Sequence, residues 1–346
     1  MNALNTALQQ TQTTTKETLL SLPHQLKAQV PLSTKLAQQI ADQRQTIQNI
    51  LEGKDHRLMI VTGPCSIHDP ISALEYAQKL QQLQSQVSDQ IFLVMRAYIE
   101  KPRTTIGWKG FLYDPNLDNS SNMQLGLEKS RELYLQIIDM GLPIAAEILS
   151  PMATAYFDDL LAWGAIGART SESQIHREIA SHMPYSIGFK NGTDGSIQIA
   201  LDAIQSALHG HQFLGMTQQG LPAILHSNGN PLPHLILRGS NHGTNYDLAS
   251  IQAMHFKHKH LPALVIDCSH GNSGKDPLQQ PNVLKQIIAQ RAESKVRGVM
   301  LESHLVDGNQ KISCDMTYGQ SVTDGCLGWD KTEQLLLDVA EQMRRH

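Results

Sequence analysis

Eight short apolar runs recur along this chain, and each stops just before a residue that can bind charge or do chemistry. Their length of four to six residues is typical of strands buried on both faces. Helical patterns separate most of them, which favours βα units and a parallel sheet. We therefore predict an α/β fold, a (β/α)₈ TIM barrel, with catalytic groups at the C-terminal ends of its strands. The predicted strands are 57–62, 91–95, 143–146, 165–168, 186–189, 234–237, 263–266 and 296–301.

Two further segments are not needed to close a barrel. Residues 1–55 are predicted to be an N-terminal extension, with a polar start and a helix from Ser33 to Leu51 that ends at Gly53. The catalytic barrel would span 56–346, with a β-hairpin inserted at about 211–233. We expect both additions to serve subunit contacts or regulation, in a homodimer or homotetramer. The predicted helices of the barrel are 70–87, 123–140, 153–162, 172–182, 194–208, 246–259, 278–292 and 331–345.

Composition argues against several classes of protein. The formal net charge is −4, so there is no global electrostatic case for binding nucleic acid or an anionic membrane. No apolar stretch approaches the roughly 18 residues that would suggest a membrane span. The four cysteines show no paired framework, which favours a reduced, cytoplasmic protein.

Cations dominate the predicted strand ends. Six of them at one barrel mouth would repel one another unless anionic substrates neutralised them, and arginine suits phosphate and carboxylate because it binds them bidentately. The number of cations indicates more than one anionic group, such as two phosphates and a carboxylate. The alternative for any single arginine is a structural salt bridge. The six are Arg96, Arg169, Lys190 and Arg238 at strand ends, with Lys101 and Arg103 in the loop after the second strand.

A second group of residues has the chemistry of metal ligands. Strands one, seven and eight are neighbours in a closed barrel, so the residues that follow them should meet at one side of the mouth. A thiolate, an imidazole and two carboxylates suit Mn²⁺, Fe²⁺, Co²⁺ or Zn²⁺ better than Ca²⁺. For the cysteine alone, a small buried residue in a Gly-Pro turn is an equal alternative. The four predicted ligands are Cys65, His270, Glu302 and Asp324.

Long motifs, in order, give the chain a family resemblance. Together they resemble the type I, microbial, feedback-regulated branch of 3-deoxy-D-arabino-heptulosonate 7-phosphate (DAHP) synthase. The resemblance covers nearly the whole chain and implies a divalent metal and no organic cofactor. The motifs are 63–70, 95–105, 107–110, 164–170, 188–195, 267–272 and 302–305.

The resemblance implies a transferase that joins phosphoenolpyruvate to erythrose 4-phosphate and water, giving DAHP and phosphate at the entry to the shikimate pathway. It implies the same four metal ligands as the residue types do. By the same carry-over, Arg169 and Arg238 would hold the phosphate of phosphoenolpyruvate, Arg96, Lys101 and Lys190 would surround its carboxylate, and Arg103 and Thr104 would bind the sugar phosphate.

Catalytic roles follow from the chemistry of that reaction. The metal would polarise the sugar aldehyde as a Lewis acid. Lys101 is the candidate for moving a proton to the new hydroxyl, and His270 or Glu147 for activating the attacking water. Asp324 stands in both the metal and the catalytic set.

Three alternative functions would be expected to show different sequence features. The sister enzyme that uses arabinose 5-phosphate is shorter and typically has Asn-Arg where this chain has Pro102-Arg103. A metal-dependent aldolase acting on another sugar phosphate is a broader alternative. A non-catalytic sensor on a degraded barrel should have lost a ligand or a cation, and here all are present.

Regulation by an aromatic amino acid is the last expectation from the resemblance. Several local features, including Pro151, resemble the tyrosine-sensitive kind most closely. The segment 181–186 departs from the more common Ser-Gly-Leu-Ser form in a region tied to inhibitor binding, so feedback control need not be identical. Tyrosine is therefore the favoured inhibitor.

Overall fold

A computed structural model describes residues 17–258 and 260–345. Eight parallel strands form a closed barrel in the order β1-β10-β9-β8-β5-β4-β3-β2, and β6 and β7 form a separate two-stranded sheet. The predicted TIM barrel is confirmed; the polar start predicted for the extension falls largely outside the described residues. The barrel strands are β1 (Leu58–Gly63), β2 (Ile91–Arg96), β3 (Ile144–Glu147), β4 (Trp163–Ile166), β5 (Ser186–Lys190), β8 (His234–Leu237), β9 (Leu264–Asp267) and β10 (Val296–Glu302).

Helices surround the barrel and cover its outer face. Apolar side chains from both layers pack into one core, as expected when helices cover a parallel sheet. None of the described helices is both long enough and apolar enough to cross a membrane. The helices are α1 (Pro23–Gln29), α2 (Thr34–Glu52), α3 (Pro70–Val87), α4 (Met123–Asp139), α5 (Thr154–Phe157), α6 (Gln174–His182), α7 (Gln198–Ala207), α8 (Leu248–Lys257), α9 (Gln280–Ala289), α10 (Arg291–Ser294) and α11 (Trp329–Arg344).

The described part of the extension, residues 17–55, contains two helices, of which one was predicted. Helix α2 begins where the Ser33 side chain accepts the Leu36 N–H, and it ends at Gly53, which takes a left-handed conformation with φ 76°. Helix α1 was missed, although Pro23 at its first turn is a helix-start signal. Its Lys27 forms an ion pair with Asp158 at 2.6 Å, which fastens the extension to the barrel.

One predicted helix is much shorter than expected. Residues 153–162 were predicted to be helical, but only the four residues of α5 are. The Arg44 side chain, from α2, donates to the carbonyl oxygens of Asp158 at 2.7 Å and Leu161 at 2.9 Å. These carbonyls therefore point to a distant side chain instead of continuing a helix, and the prediction was wrong because it saw only local periodicity.

Several other boundaries also differ from the prediction, and two of them concern segments at the barrel mouth. Helix α7 starts at Gln198 and not at 194, because Asp194 accepts the Ser196 N–H in a turn that precedes the helix. Strand β4 ends at Ile166, so Arg169 lies in the loop after the strand and not directly at its end.

The inserted hairpin is present as predicted. Strands β6 (Gln212–Met216) and β7 (Pro222–His226) pair antiparallel, with Leu214 opposite Ile224. Its turn contains Gly220 at φ 74°, and a side chain there would collide with Leu22 of the extension. The extension and the hairpin therefore contact each other within one chain.

Candidate active site at the barrel mouth

A cavity of about 320 Å³ opens at the C-terminal ends of the barrel strands. It brings together all of the predicted substrate-binding residues and most of the predicted catalytic and metal-binding ones. Cys65 is fully buried behind the others. The predicted residues that line the cavity are Arg96, Lys101, Arg103, Thr104, Glu147, Arg169, Lys190, Arg238, His270, Glu302 and Asp324.

Three of the four predicted metal ligands converge. The ligand atoms of Cys65, Glu302 and Asp324 all lie within 4.8 Å of one another. The Cys65 backbone N–H donates to the Cys326 sulfur at 3.4 Å, which holds the turn after β1 against the loop that carries Asp324. His270 lines the same cavity but lies outside this cluster of ligand atoms. The sequence therefore predicted that the four residues meet in one region. It did not predict that the ligand atoms of only three of them cluster.

A cation already contacts two of these ligands. The Lys101 ammonium lies 2.9 Å from the Cys65 sulfur and 2.8 Å from a carboxylate oxygen of Asp324. Burial acts to lower the pKa of Lys101, but the nearby Cys65 and Glu302 raise it above its ordinary value, so Lys101 stays charged. A sulfur and two carboxylates that attract a positive charge are a donor set that fits a divalent transition metal.

Arg96 is held at the base of the mouth from several directions. It donates to the carbonyl oxygens of Pro64 and Cys65, and it pairs with Glu302 at 3.0 Å. Its guanidinium carbon lies 3.7 Å from the centroid of the Tyr98 ring, a close cation–π contact. Both members of the Arg96–Glu302 ion pair are buried, so this ion pair holds the guanidinium at the position where a ligand would contact it.

One buried carboxylate connects Lys190 with His270. A single oxygen of Asp267 lies 2.8 Å from the Lys190 nitrogen and 2.9 Å from Nδ1 of His270. Burial acts to raise the pKa of Asp267, but His270 and Lys190 hold it well below its usual range. His270 also has φ 51°, an uncommon backbone conformation for a residue other than glycine. The carboxylate and the backbone thus orient the imidazole together.

The remaining cations differ in their exposure. Arg169 is exposed, and it donates to the Thr104 hydroxyl at 3.4 Å. Arg103 and Thr104 are exposed on the loop after β2. Arg238 is buried, and its Nη1 has no hydrogen-bond partner among the described residues. Burial lowers the pKa of Arg238, so an anionic ligand would offset the cost of its charge.

The prediction of site residues omitted three that lie in the cavity wall or beside it: Tyr98, Asp267 and Glu100. Tyr98 lines the cavity, and its position two residues after Arg96 was the available signal, because alternate residues of a strand face the same side. Asp267 was noted only as the end of a strand. Glu100 lies behind the cavity, and burial raises its pKa to about 7. No pattern in the sequence reports such burial.

Known proteins resemble this chain over almost its full length. The model of the DAHP synthetase I family matches residues 30–337. The Tyr-sensitive phospho-2-dehydro-3-deoxyheptonate aldolase of Escherichia coli is 46% identical, over 95% of this chain and 94% of that protein. The phenylalanine-inhibited enzyme of Saccharomyces cerevisiae is 44% identical, over 94% and 91%.

A solved structure resembles the fold equally well. The phospho-2-dehydro-3-deoxyheptonate aldolase of Francisella tularensis superimposes with a TM-score of 0.92 at 45% identity, over 95% of this chain and 98% of that one. With the barrel and the cations of its mouth, these similarities identify the protein: the chain belongs to the DAHP synthetase I family.

Proposed function

We propose that this DAHP synthase condenses phosphoenolpyruvate with erythrose 4-phosphate in the barrel mouth, as a metal-dependent transferase. The observation that carries the proposal is the meeting of the six predicted cations with a cluster of metal-type ligands in one cavity. Two phosphorylated substrates need several cations, and a cavity that collects them without ligands would be electrostatically costly. The metal site would consist of Cys65, Glu302 and Asp324, with His270 as the fourth ligand.

The depth of the cations suggests how the substrates are arranged. Arg96 and Lys190 are buried at the base of the cavity, which suits the carboxylate of phosphoenolpyruvate, together with Lys101. Arg169 and Arg238 would take its phosphate. Arg103 and Thr104, exposed on the loop, would bind the phosphate of the sugar.

Proton transfer is assigned to two groups of this chain. A bound divalent metal would supply Lewis-acid polarisation of the sugar aldehyde. Lys101 would give a proton to the oxygen that becomes the new hydroxyl, because its ammonium is charged and adjoins the metal ligands. Glu147 would accept a proton from the water that adds to phosphoenolpyruvate, since it lines the cavity, whereas His270 is engaged by Asp267.

The direct test is phosphate release from phosphoenolpyruvate, measured with and without erythrose 4-phosphate, after chelation and again after adding Mn²⁺. Release that requires both the sugar and the metal supports the proposal. Release from chelated protein would leave the reaction standing and reject the metal role. Release with arabinose 5-phosphate in place of erythrose 4-phosphate would point to the sister enzyme.

We also propose that the enzyme is cytoplasmic, forms a homodimer or homotetramer, and is inhibited by an aromatic amino acid, with tyrosine favoured. The name of the Escherichia coli relative supports tyrosine, and that of the yeast relative supports phenylalanine. His182 belongs to the segment 181–186, which departs from the more common Ser-Gly-Leu-Ser form in a region tied to inhibitor binding. Its ring lies edge-on against Phe213 of the hairpin, with centroids 6.0 Å apart. Extension 1–55 and the hairpin would carry the subunit contacts. Adding each aromatic amino acid in turn to the phosphate-release assay identifies the inhibitor.

A further inference from the structure

We infer that the hydroxyl of Tyr98 is a substrate-binding group, which donates a hydrogen bond to the carboxylate of phosphoenolpyruvate at the floor of the barrel cavity. The inference rests on the proposed function and adds a contact that neither the motifs nor the cations supplied. It starts from one atom, the phenolic oxygen. Tyr98 lines the cavity, and this oxygen is buried with no hydrogen-bond partner in the described part of the chain.

The burial of Tyr98 makes its lack of a partner meaningful. The residue is 2% exposed, and its oxygen has no hydrogen-bond partner among the described residues. An unsatisfied buried hydroxyl is destabilising, so such groups in native proteins call for a specific explanation. Arg238 also has an unpartnered nitrogen in the wall of the same cavity. Two orphaned polar atoms in one cavity indicate a ligand that satisfies both.

The ring of Tyr98 is not free to turn its hydroxyl elsewhere. Tyr98 packs in the barrel interior with Val94 and Met300, and the Arg96 guanidinium carbon lies over its ring, 3.7 Å from the centroid. Arg96 is in turn fixed by Glu302 and by two carbonyl oxygens. The hydroxyl is therefore positioned before any substrate arrives, and preorganised donors bind with less entropic cost.

The charge around the hydroxyl decides that it donates. Burial raises the pKa of Tyr98; the Arg96 cation acts to lower it, but Glu147 and Asp267 add to the rise, so the phenol keeps its proton. A neutral phenol beside the Arg96 cation suits an anionic oxygen that both can contact. Arg96, Lys190 and Tyr98 are all buried, whereas Arg169, one of the two cations assigned to the phosphate, is exposed. This depth favours the carboxylate of phosphoenolpyruvate over its phosphate.

The test is the substitution Tyr98→Phe, which removes only the hydroxyl and keeps the ring under Arg96. With Mn²⁺ bound and erythrose 4-phosphate absent, the Kd for phosphoenolpyruvate should rise about tenfold or more, as expected for losing a hydrogen bond to a charged group. The KM for phosphoenolpyruvate should rise similarly, with kcat changed by less than about threefold. The KM for erythrose 4-phosphate should stay unchanged.

The matched control is Tyr134→Phe. Tyr134 is equally buried, but its hydroxyl already donates to the Ala97 carbonyl oxygen at 2.7 Å. Its loss should lower the thermal midpoint and leave the affinity for phosphoenolpyruvate unaltered. In ligand-free protein Tyr98→Phe should behave in the opposite way, with a midpoint at or above that of the wild type, because no internal hydrogen bond is lost. This measurement also establishes that the variant is folded.

Two outcomes would overturn the inference while leaving the proposed function intact. In one, Tyr98→Phe binds phosphoenolpyruvate as tightly as the wild type. In the other, kcat falls with an unchanged Kd, which would assign the hydroxyl to the attacking water and not to the carboxylate. Wild-type protein that fails to bind phosphoenolpyruvate would instead reject the proposed function itself.

Discussion

The ammonium nitrogen of Lys101 lies 2.9 Å from the sulfur of Cys65. The same nitrogen contacts Asp324 at 2.8 Å, so one positive charge joins two of the three converging metal-type ligands. Burial raises the pKa of the Cys65 thiol. A buried thiol, a carboxylate and a lysine in contact form a group in which, under the proposed function, a metal and a proton donor would act side by side.

The substitution Cys65→Ser should weaken binding of Co²⁺ or Mn²⁺ by more than roughly 100-fold. Substituting a residue that only contacts a metal ligand costs up to about that factor, and losing a ligand should cost more. A hydroxyl is a poorer ligand for these ions than a sulfur donor. Titration with Co²⁺ provides the readout, because the sulfur-to-cobalt charge-transfer band should vanish. Cys314→Ser is the control, since Cys314 is exposed. An unchanged band in Cys65→Ser would remove this residue from the metal site.

The substitution Arg96→Met should lower the free energy of unfolding by about 3–5 kcal/mol, because it leaves Glu302 as an uncompensated buried charge. Urea denaturation of the metal-free protein measures this change. Arg344→Met provides the comparison, because the pair of Arg344 with Asp89 is largely exposed and should contribute little. Equal effects of the two substitutions would show that the Arg96–Glu302 pair stabilises the fold no more than an exposed pair does.

The stability of the protein should decrease from acid to neutral pH through Glu100. Burial raises the pKa of Glu100 from 4.5 to about 7, so the folded protein binds this proton more tightly than the unfolded chain does. Its contribution is therefore complete below about pH 4.5 and is lost as the pH rises through 7, with a full size on the order of 3 kcal/mol.

The substitution Glu100→Gln imitates the protonated carboxyl and should remove this part of the pH dependence. The amide can still accept from the Ser150 N–H and contact the Tyr113 hydroxyl. Urea unfolding at several pH values between 5 and 8 should show a flatter profile for the variant and higher stability than the wild type at pH 8. Parallel profiles for the two proteins would contradict the assignment.

The hairpin should carry a subunit contact. Leu214 is 82% exposed and Ile224 is 67% exposed, and the two are opposite each other in the strand register. Adjacent exposed apolar side chains are a feature of association surfaces. Replacing both with glutamate should produce a smaller species in light scattering after gel filtration. Phe256→Glu, at an exposed apolar residue outside the hairpin, should leave the mass unchanged.

Local sequence patterns determined much of this fold. Apolar runs that end at Arg96, Lys190 and Arg238 located three barrel strands together with the charges after them, because strand burial and the alternation of side chains are local properties. Helix α2 could be read from Ser33 and Gly53 at its ends, since capping involves only neighbouring residues. The family motifs then indicated which chemistry the mouth serves.

The tertiary structure decided what depends on distant partners. Arg44 captures the carbonyl oxygens of Asp158 and Leu161 and so shortens α5, which local periodicity could not predict. Lys101 and Asp324 are separated by 223 positions in sequence and meet only when the barrel closes. The buried hydroxyl of Tyr98 lacks a hydrogen-bond partner among the described residues, and this too depends on which residues surround it in the folded barrel. Hydrogen bonding and burial depend on every neighbour in space, whereas periodicity depends only on neighbours in sequence.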